Sequence, residues 1–69
     1  MKALNNFEKL ILKTFTNHLI NKYNNQIFDD ERIFDYFYIN PPLNCDFKYY
    51  EILLPHVISF LKSNNMYID

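Results

Sequence analysis

Sixty-nine residues with seven basic and eight acidic side chains, net charge −1, make one domain that is neither strongly basic nor strongly acidic. There is no glycine, which excludes the phosphate-cradling loops and dinucleotide fingerprints built on glycine backbone. Cys45 is the single cysteine, so an internal disulfide is excluded, and with His18 and His56 it matches no zinc-ligand spacing.

A chain this short needs a dense core, a staple or a partner. The staples are missing, so the core must come from seven Phe, six Tyr and the aliphatics, or from self-association into a homodimer. The longest apolar stretches, Leu10 to Leu12, Tyr36 to Ile39 and Ile52 to Leu54, fall far short of the ~18 residues that span a bilayer. No signal-peptide core is visible either, because Asn5, Asn6, Glu8 and Lys9 interrupt it. The expectation is a cytoplasmic protein with a reduced thiol and no membrane partner. Phe, Tyr, Ile, Asn and Lys supply 37 of the 69 residues, which points to an AT-rich gene of the kind found in low-GC bacteria, their phages and plasmids.

The first element is a helix over about residues 6 to 23. Asn5 is its N-cap, and Glu8 stands at the third helical position, the spacing of a capping box. Leu4, Phe7, Leu10, Ile11, Phe15 and Leu19 form one broad apolar face, with Lys2, Lys9, Lys13, Asn6 and Asn17 opposite. Asn24 and Asn25 end the helix, because asparagine tolerates the left-handed turn where glycine is missing. Asp29 caps a second, shorter helix. Phe28 and Ile33 bracket its start as a hydrophobic staple, and Asp30 and Glu31 fall where the helix dipole favours negative charge. Ile33, Phe34, Phe37 and Tyr38 make its stripe.

Asn40-Pro41-Pro42-Leu43-Asn44 interrupts regular structure, with Tyr38-Ile39 read as a short strand leading in. Asp46 or Asn44 caps a third helix whose stripe is Phe47, Tyr50, Leu54, Val57, Ile58 and Leu61. Pro55 cannot donate to the carbonyl of Glu51, yet the apolar stripe runs through it, so a kinked continuous helix is expected. Met66-Tyr67-Ile68 is an apolar tail, packed on the core or paired as a strand. The fold class is therefore all-α, with at most a minor two-strand element: a compact three-helix domain kinked at Pro55. The expected core is Phe7, Ile11, Phe15, Phe34, Phe37, Leu54, Val57 and Leu61.

Charge is segregated. Residues 1–24 carry +3 and residues 25–46 carry −4. Helix-start chemistry explains much of the acidity, and the EF-hand spacing with its glycine is absent, so no metal or cofactor is expected. Cys45 near a helix start, with His18 or His56 as base, would be the ingredients of a nucleophilic hydrolase or transferase, but no local signature surrounds it. The histidines read as ordinary core-edge residues.

Tyr36, Tyr38, Tyr49 and Tyr50 could stack single-stranded bases, yet they flank an acidic segment where phosphate is disfavoured. Exposed tyrosine is a strong protein-interface residue. The leading expectation is a small non-enzymatic protein-interaction module, an accessory or inhibitor protein of a phage or mobile element. It would bind a host protein with a basic surface through Asp30, Glu31, Asp35 and an exposed Tyr36. The alternative is a small winged-helix-like DNA-binding regulator. Against it, about eight residues separate helices two and three where the motif uses 3–4, and only Lys48 and Lys62 lie on the recognition segment. Nucleic acid is therefore not the expected partner.

Overall fold

The computed structural model describes residues 3–68; Lys2, counted above on the basic face, and Asp69 lie outside them. The chain forms α1 (Asn6–Lys22), α2 (Asp30–Ile39), a 3-10 turn at Pro42–Asn44, and α3 (Tyr49–Ser63). Among the described residues there is no sheet, so the fold is all-α with three helices.

Local chemistry sets each boundary. Asn5 holds extended backbone, its side chain accepts the Glu8 N–H at 2.8 Å, and the Glu8 carboxylate accepts the Asn5 N–H at 2.8 Å. This reciprocal box satisfies two of the orphan donors of α1. Past the other end, Asn25 takes φ 71°. Asp29 caps α2 by accepting the Arg32 N–H at 2.9 Å. Phe28 and Ile33, the two halves of the staple, are both fully buried.

Tyr38 and Ile39 are helical, not a strand. Proline bars the α conformation only for the residue directly before it, which is Asn40, so α2 runs two residues closer to the loop than expected. Asn44 does not cap α3. Instead Asp46 accepts the Lys48 N–H at 2.9 Å through its side chain, and its carbonyl accepts the Tyr49 N–H at 3.1 Å. The helix proper starts at Tyr49 and passes through Pro55 without a break. Pro55 is exposed, as is Glu51, so the carbonyl left without a donor can be hydrated.

Asn65 ends α3 region at φ 56° and turns the chain back. Of the two alternatives for the tail, packing on the core holds, and pairing is limited to a single bridge and not a strand. Met66 packs into the core, and Phe28 and Tyr67 form one isolated parallel bridge, with Phe28 N–H donating to Met66 at 2.7 Å and Ile68 N–H to Phe28 at 2.9 Å.

The core gathers Ile11, Phe15 and Leu19 of α1, Ile33 and Phe37 of α2, and Tyr50, Leu53, Val57 and Leu61 of α3, closed by Phe28 and Met66. Phe7 and Phe34, expected inside, are 47% and 41% exposed. Leu53 takes the place expected of Leu54, which is only partly buried; both lie on one broad stripe with Tyr50, Val57 and Leu61, so helical spacing does not separate them and the packing of the neighbouring elements does. Among the described residues Thr16 is the one polar residue buried beside the hydrophobic core; its hydroxyl donates to the Leu12 carbonyl at 2.8 Å. Among the described residues no helix is long and apolar enough to cross a membrane.

Candidate interaction surface on the second helix

Helix α2 buries Ile33 and Phe37, four residues apart, and its two flanks go different ways. On the side towards α1, Tyr36 stacks on Tyr23 with ring centroids 4.4 Å apart and meets the edge of Phe28 at 5.8 Å. It is therefore partly buried. The expectation of an exposed Tyr36 beside Asp35 is corrected: three residues after Ile33, Tyr36 lies beside the core stripe and not across from it.

On the other flank stand Phe34 and Tyr38. Their rings are parallel, 6.0 Å apart and 4° from coplanar orientation. Phe47 meets the edges of both, at 5.3 and 5.5 Å, and stacks on Tyr50 at 5.2 Å. Tyr50 touches Phe37 at 5.5 Å, and Phe37 touches Phe15 at 5.1 Å. A continuous run of rings thus leads from Tyr38, 64% exposed, to the centre of the core. Edge and offset contacts of this kind each add about 0.5–1.5 kcal/mol beyond burial. The exposed aromatics are accordingly held as a ledge on rigid helices.

The carboxylates around this ledge have separate duties. Asp29 is spent on the cap. Asp30 accepts the Tyr67 hydroxyl, tying α2 to the C-terminal segment. Glu31 and Asp35 are exposed, and neither is paired with a cation among the described residues. Arg32, the nearest positive charge in sequence, leans away from them towards Gln26 at 3.4 Å and the Ile27 carbonyl at 3.5 Å. Of the four residues singled out from sequence, Glu31 and Asp35 lie free on the outward face, while Asp30 and Tyr36 are engaged within the fold.

Burial, and secondly the charge of Asp30, push the Tyr50 phenol above its ordinary value. Burial is also the main cause that raises the Cys45 thiol, with the Asp46 charge adding to it and a backbone hydrogen bond opposing it. A thiolate nucleophile needs the opposite shift. Among the described residues no three His, Cys, Asp or Glu side chains group closely enough to hold a metal ion.

A shallow cleft of about 250 Å³ lies between α1 and the proline loop, lined by Thr14, Phe15, His18 and residues 40–44. At its lip Leu43, 49% exposed, holds φ 55° and ψ 25°. That left-handed conformation costs a non-glycine residue roughly 1–2 kcal/mol.

Sequence reasoning missed the exposure of Phe34 and Tyr38. Their signal is an aromatic pair four apart whose line runs beside, not along, the Ile33–Phe37 stripe. No protein-family model matches this chain, and neither does any curated protein or solved structure.

Proposed function

We propose that this protein is a non-enzymatic interaction module. It binds a host protein that carries a basic surface, and it acts in the cytoplasm as an accessory or inhibitor protein of a phage or other mobile element. The observation that carries this reading is the α2 face itself: Tyr38 and Phe34 exposed on a rigid aromatic ledge, with the unpaired carboxylates of Glu31 and Asp35 beside them. Aromatic anchors ringed by charge are the usual centre of binding energy at protein interfaces, and a surface of one sign steers a partner of the other. The AT-rich residue usage supports the mobile-element origin.

The site differs from the one read from sequence in its anchor. Tyr38 takes the role given to Tyr36. The DNA-regulator reading gains nothing from the geometry: residues 40–48 separate α2 from α3, far more than a helix-turn-helix allows, and the exposed helix face is acidic.

The test is affinity capture from a nuclease-treated low-GC bacterial lysate, using wild type, Tyr38→Ala and Asp35→Lys. Capture of a defined protein by wild type, lost in both variants with circular dichroism unchanged, is the expected result. Equal capture by all three would sink the α2 face. Retention on duplex DNA at physiological salt would instead favour a regulator.

A further inference from the structure

We infer that the α2 face has a second occupant, helix α1 of another copy of this chain, and that the free protein closes into a two-fold dimer in which each α1 covers the partner's α2. The inference shares the α2 face with the proposed function but does not depend on which host protein binds there.

The argument begins with spacing. On α1, Lys9 and Lys13 are exposed one turn apart, and Leu10 between them is 51% exposed. On α2, Glu31 and Asp35 are exposed one turn apart, beside Tyr38 at 64%. Residues four apart on a helix sit about 6 Å from one another, so the two charged pairs have the same pitch and opposite sign. Each pair also borders an apolar side chain that water covers poorly. Within one chain this complementarity goes unused: among the described residues neither lysine is paired with either carboxylate.

A second copy uses all of it at once. In a two-fold contact the same two surfaces meet twice, α1 on α2 and α2 on α1, so the association closes without leaving an open end. The basic first segment and the acidic second segment of the sequence then face each other across the interface. Size is compatible with this arrangement. A stable interface takes about 800 Å² from each partner, roughly a sixth of the 4798 Å² surface of this chain. Two helix faces can supply that area. Because much of the attraction is between exposed charges, the dimer is salt-sensitive.

The experiment is light scattering behind size exclusion on the full chain at about 100 µM protein, in about 50 mM and about 500 mM salt. A dimer mass at low salt that falls towards monomer at high salt is expected. Two variants then separate the surfaces: Lys9→Glu with Lys13→Glu, and Glu31→Lys with Asp35→Lys. Each alone is expected to be monomeric, while an equal mixture of the two regains the dimer mass, because each reversed face now meets the reversed face of the other. Circular dichroism establishes that both are folded. A monomeric wild type at low salt, dimers that survive either reversal, or a mixture that stays monomeric would each overturn the inference. The lysine variant leaves the α2 face intact, so it keeps host-protein capture even as it loses self-association; loss of capture in that variant, with self-association lost as expected, would count against the host-binding reading alone.

Discussion

Phe15→Ala is the sharpest perturbation of the fold. Phe15 is 2% exposed and meets the edge of Phe37 at 5.1 Å, joining α1 to α2 at the inner end of the ring series. Removing a buried phenyl ring costs about 3–5 kcal/mol through lost transfer and the cavity left behind. A domain of 69 residues has only about 3–10 kcal/mol of stability in total. At about 4–8 °C per kcal/mol for this size, the melting temperature falls by upwards of about 12 °C. Urea unfolding followed by circular dichroism measures the free energy directly. Phe34→Ala is the comparison: its ring is 41% exposed but meets Phe47 and Tyr50, so it loses about 2 kcal/mol, less than Phe15, and stays folded. A Phe15→Ala midpoint within a few degrees of wild type, or equal losses at Phe15 and Phe34, would refute the assignment of inner and outer rings.

Three further outcomes follow from the geometry. Tyr50 keeps its proton to higher pH when folded than when unfolded, so its contribution is full below pH ~10 and is lost as pH rises above that. Urea midpoints taken across that window fall more steeply for wild type than for Tyr50→Phe, which keeps the ring contacts. Asn65→Ala loses about 1 kcal/mol in the same assay, whereas Asn65→Gly is close to neutral, because the position holds φ 56°. Leu43→Asn melts at or above the wild-type temperature, since asparagine tolerates the conformation that leucine holds there at φ 55°, and Leu43→Val melts lower.

Helix starts were the most legible part of the sequence, because capping is local chemistry. Asn5 with Glu8 and Asp29 with the Phe28–Ile33 staple each act within one turn, and nothing distant can override them cheaply. Asparagine in place of glycine was legible after the first helix, where Asn25 takes positive φ; Asn65 does the same after α3, and Asn44, read as a cap, takes it instead of capping. Leu43 was not legible, since no local rule puts an aliphatic residue in that region.

Burial was harder to read than helicity. An aromatic next to the core stripe satisfies the same periodicity whether it points inwards, like Tyr36 against Tyr23, or outwards, like Phe34. Only the positions of the neighbouring elements decide. Here Tyr23 closes over one flank of α2, while Phe47 and Tyr50 leave the other partly open. The interaction surface was therefore legible as a segment, acidic and aromatic, but not as the particular tyrosine that it presents.

The central claim, that a partner docks on the acidic and aromatic face of α2, is tested most directly by site-specific photo-crosslinking. A photoreactive phenylalanine analogue is placed at Tyr38, and at Ser59 on the exposed side of α3 as a control. Both proteins are then irradiated in the bacterial lysate from which the partner is captured. The account predicts one discrete host-protein adduct from position 38, distinct in mass from the adduct between two copies of this chain and abolished when Glu31 and Asp35 are changed to lysine, and none from position 59. An adduct from position 59 alone, or one from position 38 that persists after the charge reversal, would contradict it.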